Sequence, residues 1–303
     1  MATLTAGTGR EQLASFGRTS LTMLAAPALV VLFAGLFALR PALPPLPYVA
    51  IVSAMAYSAW RWLPRTDFRT FCLYILAFSL FNGLRTVADE TGNPWQYTYV
   101  IEAEKLLVLG VVPTVWLQDR LYETGRMTTL EWASVGVYAS YFTGHFILGA
   151  IVWAVRRDFL FTYVSVVAVT LAIGLAIYFL VPTAPPWLAA NAGELPNVAR
   201  ISALANSEVW ADAYERGAYV AGANDVGAMP SLHTALTAVV AMTLWRMHRV
   251  LGVIGWLYVG AMGFSLMYLG EHYLVDVLAG VAVAALAWHF VTSRMDARTT
   301  ANH

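Results

Sequence analysis

An all-α polytopic membrane protein of about eight transmembrane helices is the fold class that this 303-residue sequence predicts. Composition is the first reason: 59% of the residues are hydrophobic and only 12% charged, with a mean hydropathy of +0.62, too apolar for a soluble chain of this length. The second is that apolar runs recur from end to end, separated by short segments that hold most of the arginines. The third is cysteine usage: Cys72 is alone and lies inside an apolar run, so no intrachain disulfide staples the fold. No boundary divides the chain, which reads as a single polytopic domain over 1–303.

Taken in order, residues 1–20 are polar, carry Arg10 and Arg18, and are expected on the cytoplasmic side. Residues 21–39 follow. At 1.5 Å per residue this run spans roughly 28 Å, enough for a hydrocarbon core, and Phe37-Ala38-Leu39 lacks a small-x-small cleavage site, so the span is expected to be retained. Further spans are expected at 47–63, 71–84, 132–155, 159–181, 230–247, 251–269 and 273–291. Within the extracytoplasmic or interfacial segment 85–131, residues 101–117 place Glu102, Glu104 and Lys105 ahead of a short apolar run broken by Pro113. That pattern suits an interfacial or re-entrant helix better than a crossing. The longest polar connection, 182–228, opens with Pro182-Thr183-Ala184-Pro185-Pro186-Trp187 and is expected to be a lid, with a short amphipathic helix over 207–216.

Arg61, Arg65, Arg69, Arg156, Arg157, Arg246 and Arg249 fall in short segments on one side of this topology. The positive-inside rule makes that side cytoplasmic. The starts of the sixth and eighth spans, and Arg85 at the end of the third, then face the outer side of a bacterial plasma membrane.

Those two starts hold the residues suited to chemistry. In Met229-Pro230-Ser231-Leu232-His233, Pro230 suits a first helical position, where its missing N–H costs nothing. The free N–H groups beyond it make an anion site to which Ser231 adds a hydroxyl, and His233 sits within reach as a proton donor. In Gly270-Glu271-His272-Tyr273-Leu274-Val275-Asp276, His272 and Asp276 are spaced i, i+4, so the carboxylate can orient one ring nitrogen while the other faces the site. A phosphate of charge near minus two also needs a cation. Arg85, with Asn82 one turn back, is the first candidate because arginine binds phosphate bidentately; Arg200 and Arg216 in the connection are second. His145, in Thr143-Gly144-His145-Phe146, is as suited to packing against a carbonyl as to a site role, and His289 to an interfacial position. Zinc ligation by two histidines and an aspartate is the competing chemistry. The Pro-Ser-x-His context favours an anion site instead, so no metal and no cofactor are expected.

The elements Pro230-Ser231-Leu232-His233 and Ser265 followed by His272 and Asp276 resemble the second and third signature motifs of the type 2 phosphatidic acid phosphatase (PAP2) superfamily, Pro-Ser-Gly-His and Ser-Arg-x5-His-x3-Asp. The resemblance covers a catalytic core at 182–291. Leu232 replaces glycine, Leu266 stands where the third-motif arginine belongs, and Lys-x6-Arg-Pro is absent near the end of the fifth span, where Pro182 to Trp187 stand instead. Lys105 and Pro113 reproduce its outer spacing, but with Val112 for arginine and too early in the chain. These departures look like the branch that contains inositol phosphorylceramide synthase. The resemblance implies His272 as nucleophile, Asp276 as its orienting partner, His233 as the acid for the leaving alcohol and Ser231 on a phosphate oxygen. It implies transfer of a phosphoryl headgroup from a lipid-linked phosphate to an alcohol acceptor, a polyol or sugar. With water as acceptor the same residues make a lipid phosphate or polyprenyl (di)phosphate phosphatase. A transporter is the reading from another class, and mostly clean spans count against it. Membrane lipids are expected partners and nucleic acid is not.

Overall fold

The computed structural model describes residues 28–36, 38–39, 43–89, 94–205 and 227–301. The N-terminal segment 1–20, much of the expected span at 21–39, the expected helix at 207–216 and Arg216 lie outside the described residues.

A bundle of long helices makes up the body: α1 (Pro45–Trp62) and α2 (Asp67–Asp89), then, after two short helices, α5 (Thr129–Val155) and α6 (Arg157–Leu180), and finally α8 (Leu232–Met247), α9 (Arg249–Tyr268) and α10 (Leu274–Ala301). Among the described residues, five of these (α2, α5, α6, α9 and α10) are long and apolar enough to cross a membrane, against the eight spans expected. The sixth expected span is shortened because residues 229–231 lie outside the helix and α8 is left with 16 residues, roughly 24 Å. The third is lengthened, since α2 continues past Leu84 to Asp89 and carries Arg85 within its last turns.

Local chemistry fixes several of the helix starts. Pro45 at the first turn opens α1. A capping box opens α5: the Thr128 hydroxyl accepts from the backbone while Glu131 accepts from Thr128 N at 2.6 Å. Successive long helices run in opposite directions, so the end of α2, the start of α5, the end of α6, the start of α8, the end of α9 and the start of α10 gather at one end. At the opposite end Arg157 pairs with Asp67 at 3.8 Å, Trp153 Nε1 donates to the same carboxylate, and Arg246 lies over Phe159.

The interior of the bundle is one apolar core, running from Phe71 and Tyr74 on α2 through Tyr163 and Val167 on α6 to Leu236 and Val239 on α8. Residues 101–117 do not form one continuous helix. They break into α3 (Thr98–Leu107) and α4 (Pro113–Leu121) about a turn in which Leu109 and Gly110 take positive φ of 52° and 90°. Together with α7 (Pro186–Asn191), this hairpin covers the gathered helix ends through two smaller cores, one around Val100, Ile101, Ala189 and Tyr273, the other around Leu117, Ile201 and Tyr268. Thr183 bridges Gln96 on one side and Gly227 on the other, which ties both ends of the 182–228 connection to the same place.

Candidate active site

Ser231 is the N-cap of α8. Its oxygen accepts from Thr234 N at 3.3 Å and from the Thr234 hydroxyl at 3.2 Å, and the residue is fully buried. Pro230 is therefore not the first helical residue, as its spacing suggested, but precedes the cap. The Met229–Pro230 peptide is cis and the Pro230 carbonyl accepts from the Tyr178 hydroxyl at 3.1 Å. Leu232, which occupies the place of a glycine in the resembling motif, is seated in a notch of α6: a Cβ on Gly174 would stand 2.5 Å from it.

The second element begins at Gly270, whose φ of +82° turns the chain out of α9 where a side chain would strike the Ala199 carbonyl at 2.6 Å. His272 lies before α10 rather than on it, so the i, i+4 stacking expected of a helix is not how the pair meets. Asp276, in the first turn, reaches back: its Oδ2 accepts from Tyr273 N at 2.9 Å, half of a capping box, and stands 3.4 Å from His272 Nδ1. The two elements lock together where Ser231 N donates to the Asp276 carbonyl at 3.0 Å. Gly280, one turn further along α10, permits this approach, because a Cβ there would lie 2.2 Å from the Ser231 carbonyl oxygen.

The two imidazoles meet directly. His233 Nδ1 is 3.1 Å from His272 Nε2, with ring centroids 5.3 Å apart and planes at 66°. An ionised carboxylate only accepts, so it favours the tautomer with the proton on His272 Nδ1; in that tautomer Nε2 holds the lone pair and His233 Nδ1 is the donor between the rings. On its other side His233 packs against Tyr141 and Tyr138 of α5, at 4.3 and 5.0 Å between centroids.

A cavity of about 80 Å³, room for several waters, opens onto this pair. Arg85, Arg200, Tyr138, Tyr141, Tyr178 and Glu271 line it together with His233 and His272. The two described arginines are not equivalent. Arg200 is forked onto Glu271, Nε to Oε1 at 2.9 Å and NH2 to Oε2 at 3.4 Å, and stacks on Trp187 at 4.3 Å. Ser202 also donates to Glu271. Arg85 enters from α2 beside the tyrosines.

Other candidates sit elsewhere. Ser231 caps α8 behind the cavity wall. Asn82 donates to the Phe78 carbonyl at 2.9 Å, and Lys105 is half-exposed and paired with Glu102 at 2.9 Å. His145 lies mid-helix, 2.5 Å from the Tyr74 hydroxyl, lining a separate cavity of about 220 Å³ that shares Tyr141.

Sequence reasoning passed over Glu271 as a partner for Arg200, the three tyrosines of the cavity and, most of all, Glu104. That side chain is fully buried and accepts from Val275 N at 2.9 Å, at the first turn of α10; its other oxygen is buried with no hydrogen-bond partner. Burial pushes its carboxyl up to about 7. A buried acid on an otherwise amphipathic stretch was the available signal, but its partner lies far along the chain.

A family model described as the PAP2 superfamily matches residues 99–290, well over half of the chain. The chain belongs to the PAP2 superfamily. Within it, the chain is 34% identical over 133 residues to the phosphoinositol dihydroceramide synthase of Bacteroides thetaiotaomicron, a match covering 39% of this chain and 41% of that protein. It is 26% identical over 208 residues to the inositol phosphorylceramide synthase of Candida albicans, covering 60% of this chain and 41% of that protein. The chain thus spans well under half the length of each relative. No solved structure matches significantly. The resemblance to the inositol phosphorylceramide synthase branch agrees with both relatives, and the apolar helices make this PAP2 chain a multi-pass membrane protein.

Proposed function

We propose that the protein is a membrane lipid phosphotransferase, moving a phosphoryl headgroup from a lipid donor to an alcohol acceptor through a phosphohistidine on His272. The observation that carries this reading is the chain Asp276, His272, His233, with nitrogens 3.1 Å apart, opening on a cavity that Arg85 also lines. In the first step the His272 Nε2 lone pair attacks phosphorus, the P–O bond to the lipid alcohol breaks, and the proton on His233 goes to the leaving oxygen. Asp276 stabilises the imidazolium side of His272 and fixes its tautomer. In the second step the acceptor hydroxyl gives its proton to His233 as its oxygen bonds phosphorus and the P–N bond breaks. Arg85 compensates the phosphate charge in a water-poor site, where donors fixed in advance act most strongly.

The relatives' names, with phosphoinositol and ceramide in them, support an inositol-bearing donor and a long-chain alcohol acceptor as the first probes. Arginines at the bundle end opposite the cavity support an extracytoplasmic site in a plasma membrane.

The test is purified protein in vesicles with phosphatidylinositol labelled in its headgroup, with and without a fluorescent ceramide. Label appearing on the ceramide is expected. Release of free inositol phosphate alone, with no dependence on added alcohol, would establish hydrolysis and overturn transfer.

A further inference from the structure

The hairpin α3–α4 is bonded along one face to the segment that carries the nucleophile. Glu104 accepts from Val275 N at 2.9 Å, Thr114 donates to the His272 carbonyl at 3.2 Å, and Gln118 Nε2 donates to the Tyr268 carbonyl at 2.8 Å. Gln118 also exchanges two bonds with Ala199, at 2.8 and 2.9 Å, so it ties in the strand of chain that holds Arg200. Three side chains from one short element thus grip the backbone before, at and after His272. All three residues are buried, and none of them lines the cavity.

The other face of the same hairpin, around its turn, is apolar and exposed. Leu106 is 85% exposed, Leu107 52% and Leu109 96%, around the left-handed turn at Leu109 and Gly110. Counting Val111 at 37%, four large apolar residues of this turn are exposed among the described residues. The flanks are those of a membrane interface: Trp95, Tyr99, Trp116 and Trp132 are exposed at this end, Arg120 folds over Trp116 at 4.4 Å, and Lys105 pairs with Glu102. In a chain whose long helices are apolar enough to cross a membrane, the covering that fits this tip is lipid.

We propose that residues 98–121 form a bilayer-seated clamp: the exposed face of the tip at Leu106 to Val111 lies among interfacial lipid, and Glu104, Thr114 and Gln118 on the buried face set the position of His272. The positioning carboxyl is Glu104, which holds the first turn of α10 and through it Asp276. Loss of the lipid seat frees the hairpin and loosens the nucleophile, so the site is assembled only on a membrane. This rests on His272 being the nucleophile.

The experiment uses the full chain in phosphatidylcholine vesicles and includes two readouts that need no substrate. A nitroxide on Leu109→Cys, in a Cys72→Ala background, should be more accessible to oxygen than to a water-soluble nickel chelate; the reverse order overturns the lipid seat. Hydrogen exchange at residues 273–277 should quicken about tenfold or more in Glu104→Ala and in the tip pair Leu106→Asn with Leu109→Asn, and stay slow in Glu104→Gln, which keeps an acceptor. Unchanged exchange in both overturns the clamp. With headgroup-labelled phosphatidylinositol as probe, Glu104→Ala should lower kcat about tenfold or more at unchanged KM, and Glu104→Gln should restore it. Thr114→Val serves as the second variant if Glu104→Ala fails to fold. Should His272→Ala keep full activity, the transferase reading fails; should it lose activity while Glu104→Ala and Thr114→Val keep wild-type kcat, the clamp alone fails.

Discussion

Gly280→Ala isolates the geometric basis of the site, because it perturbs helix spacing without touching a reacting group. An alanine Cβ at this position would stand 2.2 Å from the Ser231 carbonyl oxygen and 3.2 Å from Ala235 N, where ordinary contact starts at 3.4 Å. Both neighbours are backbone of α8, so they have no rotamer by which to yield. The start of α10 must move out by about 1 Å, which stretches the Ser231 N to Asp276 carbonyl bond from 3.0 Å and carries Asp276 and His272 away from His233. Overpacking of this kind costs about 1–3 kcal/mol of stability. A misplacement of about 1 Å at a reacting pair costs on the order of a hundredfold in kcat. Gly260 on α9 has nothing within 4 Å of its Cβ position, so Gly260→Ala is the matched control and should be silent. Thermal unfolding in detergent and transfer kinetics in vesicles measure both effects. A Gly280→Ala protein with kcat within about threefold of wild type and an unchanged Tm would refute the claim that α8 and α10 are held at contact distance to align the histidines.

Asp276→Asn should keep the fold, since the amide oxygen can still accept from Tyr273 N, yet lose on the order of 10³–10⁴ in kcat because it no longer fixes the His272 tautomer; steady-state kinetics with an unchanged Tm checks this. Removing one member of the Arg200–Glu271 pair, 18% and 10% exposed, should destabilise by about 3–5 kcal/mol, and Arg200→Met with Glu271→Leu should recover part of it, which thermal unfolding of single and double variants measures. Glu104 gives a pH dependence. Its carboxyl is raised from 4.5 to about 7, so the stabilisation belongs to the protonated form, is complete below about pH 4.5 and is lost as pH rises through 7, a change of at most about 3 kcal/mol. The titratable groups that face it are Asp276 and Tyr273. Tm should fall between pH 5 and 8 in wild type and stay flatter in Glu104→Gln.

The outline of this molecule was legible because lipid-facing helices must be apolar over a fixed length, and no fold-level knowledge is needed to see that at residues 132–155 or 159–181. His233, His272 and Asp276 were legible because ionisable groups at the ends of such runs are costly unless used. The manner of their meeting was not. Whether His272 sits on a helix or just before it depends on the turn at Gly270, and the role of Ser231 depends on which residue caps α8, both decided by packing against Ala199 and Gly174. Nothing in the sequence showed that Glu271 and Trp187 close around Arg200. The 101–117 stretch made its break into two short helices legible through its charges and Pro113. It gave no sign that Glu104, Thr114 and Gln118 reach residues more than 140 positions away.

The most direct test of the phosphohistidine is a rapid alkaline quench of the protein during turnover of headgroup-labelled phosphatidylinositol. The account predicts an acid-labile, alkali-stable label on the peptide that contains His272, absent from His272→Ala. Product formation with no protein-bound label, or with label on any other residue, would contradict it.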